Sequence, residues 1–116
     1  GCKSTELYFY NMIAKKPKTP YYAVIFTSVK NFEDNDYNKM SDKMVALANK
    51  QKGFLGIESA RNELGITVSY WDSLKSIKKW KMHVDHIEAR EKGRSTWYKT
   101  FKVRICKVEN DYEFEK

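Results

Sequence analysis

Residues 21–29, with the sequence YYAVIFTSV, predict a β-strand that is apolar on both of its faces. β-Branched and aromatic residues favour strands. Successive side chains point to opposite faces, so Tyr22 and Phe26 share one face, while Ala23 and Ile25 share the other. Neither face of such a strand expects water, and the rest of the fold must therefore cover this strand from both sides.

Strand and helix patterns alternate along the rest of the chain. The predicted elements are a strand at 21–29, a helix from residue 37 to Gly53, strands at 54–61 and 66–71 around a reversal at 62–65, a helix from residue 74 to Gly93, and a strand at 97–108. Asp34 or Asp36 provides a cap for the first helix, and Asp72 or Ser73 provides one for the second. This βαββαβ order is typical of a ferredoxin-like α+β domain, with both helices on one face of an antiparallel sheet.

The sequence predicts one domain with a short extension at each end. Residues 1–19 lack a clear period and run into KKPKTP, so we interpret them as an N-terminal arm. Residues 20–108 form the domain, and residues 109–116 are a polar C-terminal tail. Because the helices cover only one sheet face, we expect the open face to pack against a second copy, which predicts a homodimer through the sheet faces.

Composition restricts the classes of partner. The net charge of +7 suggests nucleic acid, but acidic residues are interleaved with the lysines and arginines, which indicates a solvated surface. No apolar run approaches the roughly 20 residues that cross a bilayer. Cys2 and Cys106 lie at opposite ends of the chain and suggest neither a disulfide framework nor a zinc site. We therefore expect a cytoplasmic protein with no nucleic-acid partner and no membrane partner.

One stretch of the second helix and the strand before it concentrates candidate site residues. Trp71 ends the strand, where its ring either stacks on a planar ligand or fills the core. His83 lies about 60° from Trp80 around the helix, at the edge of the apolar stripe. Its imidazole could accept a phenolic proton or ligate iron, or it could be a boundary residue bonded to backbone or water. His86 and Arg90 lie on the same side of the helix.

The stretches YYAVIFTS, GFLGIESAR, ITVSYWDS and IKKW resemble the antibiotic biosynthesis monooxygenase (ABM) domain family, in particular its small bacterial members of unassigned substrate. The resemblance covers residues 20–108. It implies a dimeric α+β barrel with a pocket in each subunit between the sheet and the helices. The family includes oxygenases that act on polycyclic phenols without a cofactor, and haem-degrading enzymes.

The residues of the haem-degrading relatives are only partly present. Trp71 matches their tryptophan, and Trp80 falls at the family's second aromatic position. Arg90 stands where their iron-binding histidine would be, and Thr27 or Ser28 stands in the place of their asparagine. The resemblance therefore favours the oxygenases that need no cofactor, and the alternative is a haem-degrading relative with an altered ligand set, in which His83 or His86 would substitute.

The first functional hypothesis is an ABM-type monooxygenase that oxidises a small planar phenolic or polycyclic substrate. Its catalytic residues would be Trp71 and His83, and its substrate-binding residues Tyr22, Phe26, His86 and Arg90. We expect no cofactor and no metal site. The second hypothesis is a dimeric protein that binds haem or a metabolite in the same pocket without catalysis. An RNA-binding module is the third, but LGITVSYW lacks the aromatic residues that its third strand requires.

Overall fold

The computed structural model describes residues 13–14, 18–31, 37–90 and 97–116, with the side chains of residues 89 and 90 excepted. Within these ranges the elements are β1 (Tyr21–Lys30), α1 (Tyr37–Asn49), β2 (Phe54–Arg61), β3 (Leu64–Trp71), α2 (Leu74–Arg90) and β4 (Tyr98–Val108). The predicted order of strands and helices is confirmed. The proposed caps Asp34 and Asp36, the helix end at Gly93 and most of the N-terminal arm lie outside the described residues.

The four strands form one antiparallel sheet in the order β2-β3-β1-β4. This is the sheet order of a ferredoxin-like α+β fold, and it confirms the predicted fold class. β1 is an inner strand that pairs with β3 on one side and with β4 on the other. Both edges of β1 are therefore hydrogen-bonded, which agrees with its apolar sequence.

The ends of the elements differ in detail from the prediction. α1 ends at Asn49, and Gly53 lies in the following turn with a φ of 91°, a conformation that glycine adopts without strain. A methyl group on Gly53 would overlap the side chain of Ser76. Arg61 is the last residue of β2 to pair with β3, and its partner is Gly65, so the reversal consists of residues 62–64 and Gly65 belongs to β3.

Ser73 is the N-cap of α2. Its hydroxyl oxygen accepts a hydrogen bond of 3.1 Å from the backbone nitrogen of Ser76, which satisfies one of the free donors of the first turn. The neighbouring Asp72 accepts a bond of 2.7 Å from the Ser76 hydroxyl. Both of the predicted candidates thus take part in the start of the helix, and Ser73 supplies the cap itself.

The core centres on Trp71, whose exposed fraction is 0%. Its ring packs edge-on against Phe54 at 5.3 Å and stacks on Trp80 of α2 at 5.9 Å. The indole nitrogen donates a hydrogen bond of 2.9 Å to the hydroxyl of Ser69. This cluster fixes α2 to β2 and β3, so Trp71 joins three elements of the fold.

The sheet has one face toward the helices and one open face. On the open face Ile25 and Val68 are half-buried, while Ile66 and Leu64 are 42% and 51% exposed. At one end of this face the C-terminal tail approaches the sheet, since the Tyr21 hydroxyl donates a hydrogen bond to Asp111. Burial, followed by this bond, raises the pKa of Tyr21 to about 12.

Neither helix within the described ranges is long and apolar enough to cross a membrane.

The central role of Trp71 can be measured by replacing it. Trp71→Ala removes a fully buried ring that contacts two strands and one helix, so we expect the free energy of unfolding to fall by about 3–5 kcal/mol. Urea denaturation followed by circular dichroism measures this loss. Met82→Ala, at a side chain that is 66% exposed on α2, is the control and should stay within about 0.5 kcal/mol of the parent protein. A loss below about 1 kcal/mol for Trp71→Ala would contradict the central role of this ring.

Candidate functional site

A cavity of about 620 Å³ lies between the helix-facing side of the sheet and the two helices. This volume falls within the range of small-molecule sites, which are mostly apolar clefts with a few polar groups. Apolar side chains of both helices form its roof, and they are Met40, Met44, Val45, Ile77, Trp80 and Val84. The resemblance implied a pocket at this place, and the cavity lies there.

Small polar residues form part of the cavity floor. Ser59 of β2 and Thr67 of β3 are paired across the two strands, and their hydroxyl groups are 2.9 Å apart. Ser69 lies one pair further along β3 on the same face. Because these side chains are short, they leave space beneath the helices that larger residues would fill.

The cavity opens along the edge strand β4. Val103 and Ile105 line it, yet they are 46% and 52% exposed. Apolar side chains on the helix-facing side of a sheet are normally covered, so their exposure marks the opening. A ligand can therefore enter from the β4 edge without separating the helices from the rest of the sheet.

Aromatic rings form one wall of the cavity. Phe26 of β1 packs against Tyr98 at 5.1 Å and against Phe101 at 5.5 Å. Tyr98 also contacts Tyr37 of α1 at 5.7 Å, with the rings nearly perpendicular. Such pairs hold one another in place and present flat apolar surface to a ligand.

A row of residues across three strands holds an arginine at the same end of the cavity. Arg61 of β2 pairs with Gly65 of β3, and Gly65 pairs with Ser28 of β1. The Arg61 guanidinium lies over Gly65, where a side-chain methyl group would overlap it. From there it donates hydrogen bonds to the Ser28 hydroxyl and, at 3.5 Å, to the Ser28 carbonyl. Ser28 itself is 1% exposed.

Tyr37 and Tyr98 complete this polar end. The Arg61 guanidinium lies 5.1 Å from the centre of the Tyr37 ring, which is a cation–π contact. Burial raises the pKa of Tyr98 well above its usual range, and the charge of Tyr37 and the hydrogen bond with Tyr37 raise it further. Arg61 acts in the opposite direction, whereas Glu88 of α2 also raises the pKa of Tyr98. Tyr98 is therefore a neutral hydroxyl group at physiological pH.

Glu88 is a buried carboxyl group in the lining of the cavity. Its exposed fraction is 9%, and it belongs to the third turn of α2 after Ile77. Asp85 and Lys81 of the same helix also line the cavity and form an ion pair at 2.8 Å nearer to solvent. Asp42 of α1 lines the cavity as well, so the acidic and basic groups of the site come from both helices and from the end of β2.

Of the proposed site residues whose side chains the structure describes, only Phe26 lies in the cavity lining. Trp71 lies in the core behind Trp80, with no exposed surface. Tyr22 is half-buried on the helix-facing side of β1 but does not belong to the lining.

The two histidines of α2 lie away from the cavity. His83 and His86 are both exposed, and neither belongs to the lining. The side chain of Arg90 lies outside the described residues. The structure therefore does not bring His83 and His86 to the pocket.

The geometry of α2 explains why the histidines lie outside. Val84 and Glu88 lie about 40° and 80° to one side of Trp80 around the helix axis. His83 and His86 lie about 60° and 120° to the other side. The helix rests on the sheet with the Glu88 side toward the cavity, so the other edge of its apolar stripe faces solvent.

Sequence reasoning missed the polar residues that do line the cavity. They include Tyr37, Arg61, Asp42, Lys81, Asp85, Glu88 and Tyr98. A signal existed for some of them, because Ile77, Lys81, Val84 and Glu88 follow the helical spacing of one face. A three-residue turn at 62–64 would also have paired Arg61 with Gly65, which leaves room above the strand.

The lining does not fit haem ligation. Haem iron in proteins is commonly held by histidine or cysteine, and both histidines of the chain lie outside the lining. Among the described residues, no group of three or more histidine, cysteine, aspartate or glutamate side chains could hold a metal ion. The reaction mechanism proposed below involves neither haem nor a metal.

The raised pKa of Tyr98 predicts how the free energy of unfolding changes at alkaline pH. Its folded pKa lies above the unfolded value of about 10, so its contribution to stability is complete below pH ~10 and is lost as the pH rises further. We expect the free energy of unfolding of the parent protein to fall more steeply above pH ~10 than that of Tyr98→Phe, by up to ~1.4 kcal/mol per pH unit. Urea titrations across this range measure the two slopes.

The control for this experiment is Tyr112→Phe. Tyr112 is 98% exposed in the C-terminal tail, so its removal should leave the slope unchanged. Equal slopes for the parent protein and Tyr98→Phe would show that Tyr98 does not have the environment described above.

Comparisons with known proteins agree with this fold. No family model matches the chain. The crystal structure of PA3566 from Pseudomonas aeruginosa aligns with a TM-score of 0.56 and 12% identity, over 84% of this chain and 100% of that one. NE2512, a protein of unknown function from Nitrosomonas europaea, aligns with a TM-score of 0.54 and 11% identity, over 84% and 95% of the two chains. These two likenesses show the fold alone.

One relative is much more similar in sequence. The uncharacterized protein YqjZ of Bacillus subtilis (strain 168) is 49% identical over 107 residues, which span 90% of this chain and 94% of YqjZ. Identity at this level over most of both chains shows common descent, and the chain described here belongs to the same family as YqjZ.

Proposed function

We propose that this protein is an ABM-type monooxygenase that oxidises a small planar phenol or polycyclic compound without a bound cofactor. The observation that carries the proposal is the cavity of about 620 Å³ with apolar and aromatic walls and one polar end. The polar end combines Arg61, the Tyr37–Tyr98 pair and Glu88. The sequence resemblance to the ABM domain family supports the reaction type.

The walls suit a flat apolar molecule. Phe26 and Trp80 offer ring surfaces from opposite sides, one from the sheet and one from α2. Met40 and Met44 adapt to the outline of a ligand, because unbranched thioether side chains change rotamer easily. Burial of such a ligand is driven by the removal of its apolar surface from water.

The polar end suits the activation of a phenol. Glu88 is the carboxylate that we assign as proton acceptor, and Arg61 and the neutral hydroxyl of Tyr98 would stabilise the oxyanion that forms. The electron-rich anion can then react with oxygen directly. A methylene group of the substrate becomes a carbonyl group, one oxygen atom enters the product and the other leaves as water, so the substrate itself supplies the electrons.

This assignment moves the catalytic roles away from the residues chosen from the sequence. His83 was the expected base, and Glu88 takes this role because it lies in the cavity lining. Trp71 becomes a support for Trp80, which stacks on it. The same cavity would also serve a protein that binds a metabolite without converting it, and turnover under air distinguishes the two.

Aerobic turnover of dihydroxyanthracenone-type phenols tests the mechanism. Glu88→Gln removes the proton acceptor at constant size, so we expect oxygen consumption to fall by about 100-fold or more. Arg61→Met removes the cation that stabilises the oxyanion, and we expect a loss of at least about tenfold. An oxygen electrode measures both rates.

His83→Ala is the matched control, since His83 is exposed on the same helix and outside the lining. Its turnover should equal that of the parent protein. A loss with His83→Ala and none with Glu88→Gln would return the role of base to the histidine. Binding of the phenol without oxygen consumption would favour the protein that binds without catalysis.

The open sheet face supports a second part of the proposal, a homodimer in the cytoplasm. Ile66 and Leu64 are exposed on this face, next to the half-buried Ile25 and Val68. A contiguous apolar area of this kind is a typical contact between identical chains. Cys106 is a free and exposed thiol on β4, which suits a reducing compartment.

The dimer can be tested by placing a charge on this face. Ile66→Glu would bury two carboxylates in a symmetric contact, so we expect it to yield monomers when the parent protein is dimeric. Multi-angle light scattering measures the mass of each species. The control is Met82→Glu, which adds the same charge on the exposed side of α2 and should leave the mass unchanged. A monomeric parent protein would contradict the homodimer.

A further inference from the structure

We infer that Arg61 is a preorganised anchor for an anionic oxygen, and that the ligand of the cavity is a planar apolar molecule with one acidic oxygen group, either a carboxylate or an ionised phenol. This inference deepens the proposed function and rests on it for the site, because it concerns a ligand bound in the same cavity. It assigns positioning roles to Ser28 and Gly65, which hold Arg61 in place.

The register of the sheet supports the role of Arg61 as an anchor. Arg61, Gly65 and Ser28 are paired residues of three neighbouring strands, so they form a straight row across the sheet on its helix-facing side. Any side chain larger than hydrogen at position 65 would occupy the space of the guanidinium. Glycine therefore lets the Arg61 side chain lie flat across β3 and reach β1.

The contacts of the Arg61 guanidinium hold it in one position. Below it are the hydroxyl and carbonyl of Ser28, a residue that is 1% exposed, and above it is the ring of Tyr37 from α1. Each of these contacts is with a neutral group. They restrict the rotation of the arginine but leave it with its positive charge, so little entropy is lost when an anion binds.

The position of Arg61 in the cavity also suits the binding of an anion. Arg61 belongs to the lining of an apolar cavity, where water is scarce and charge interactions are stronger than in bulk solvent. A guanidinium binds a carboxylate or phenolate oxygen through charge-assisted hydrogen bonds. The rings of Phe26 and Tyr98 beside it receive the apolar part of the same ligand.

The other cation of the lining does not provide a second anion site. Among the described residues, the cations that line the cavity are Arg61 and Lys81, and Lys81 is already ion-paired with Asp85 at 2.8 Å. A second anionic group on the ligand would therefore meet no unpaired cation in the described lining. The arrangement favours a molecule with one acidic group at the Arg61 end and an uncharged remainder toward the opening along β4.

The test compares pairs of probes that have the same shape and differ in charge. 9-Anthracenecarboxylate and 9-anthracenemethanol form the carboxylate arm, and 4-nitro-1-naphthol, ionised at neutral pH, and its methyl ether form the phenolate arm. Calorimetry or the quenching of tryptophan fluorescence measures each affinity. We expect the parent protein to bind the anion of at least one pair about tenfold or more tightly than its neutral partner.

Substitutions at Arg61, Ser28 and Gly65 test whether this row of residues causes the preference for the anionic probe. Arg61→Met should bring the ratio of anion to neutral affinity close to one, while the affinity for the neutral probe changes little. Ser28→Ala and Gly65→Ala should lower the ratio in part, because the arginine remains but is no longer held in place. Lys78→Met is the control, since it removes one positive charge from the exposed side of α2, outside the cavity lining and away from the open face of the sheet. It should keep the ratio of the parent protein.

The outcomes separate this inference from the proposed oxygenase. A ratio near one in the parent protein, with the neutral probes still bound, overturns the anion anchor and leaves the cavity as a ligand site. Equal losses with Arg61→Met and Lys78→Met overturn it as well, because only the net charge would then matter. Selective binding of the probes, together with no oxygen consumption when dihydroxyanthracenone-type phenols are supplied, supports the anchor and contradicts the oxygenase. No binding of any probe contradicts both. Ser28→Ala, a small change inside a strand, gives a second reading if Arg61→Met does not fold.

Discussion

The placement of β1 determines most of this structure. β1 is apolar on both faces and paired along both edges, so it must lie inside the sheet and be covered on either side. Its two faces then serve different purposes. Phe26 and Ser28 point toward the helices. Phe26 lines the cavity, and Ser28 belongs to the row of Arg61, Gly65 and Ser28, which we call the arginine row. Ala23 and Ile25 point to the open face. A single strand thus connects the ligand site with the surface that we assign to a second copy.

The cavity results from an uneven filling of the space between sheet and helices. At one end Trp71, Phe54 and Trp80 pack against one another and hold α2 to the sheet. Further along the same strands the floor consists of short side chains such as Ser59 and Thr67. Helices are nearly straight rods, so they cannot follow this change in side-chain size. The gap that remains is the cavity, and a mutation that loosens the tryptophan pair would change its shape as well as the stability of the fold.

The sequence was sufficient for the fold because local patterns and the overall topology agree. The alternation of 97–108, the helical stripe that includes Ile77 and Trp80, and the doubly apolar 21–29 each allow one placement in a βαββαβ domain. The site was harder to predict from the sequence. An apolar stripe shows which side of α2 is buried, but not by how many degrees the helix is rotated over the sheet. That rotation, set by the contact of Trp80 with Trp71, decides that Glu88 faces the cavity and His83 faces solvent.

The arginine row could have been found only in part. A three-residue turn at 62–64 fixes the register of β2 against β3 and so places Arg61 opposite Gly65. The third member, Ser28, is more than thirty residues away in the chain, and its position depends on the pairing of β1 with β3. Long-range pairing of this kind is encoded by the whole sheet rather than by a local motif. A lone glycine in a strand was the available signal, since such a glycine often marks a place where another group approaches the backbone.

The arginine row is also difficult to explain by stability alone. A half-buried cation with neutral partners loses hydration that these contacts restore only in part, and an apolar side chain of similar length would avoid this cost. The glycine at position 65 adds to the cost, because glycine in a strand interior is less favourable than a residue with a side chain. A fold that accepts both penalties at the wall of its cavity gains in return a fixed positive charge beside an aromatic surface. Placed there, that charge distinguishes an acidic planar molecule from a neutral one before any chemistry takes place.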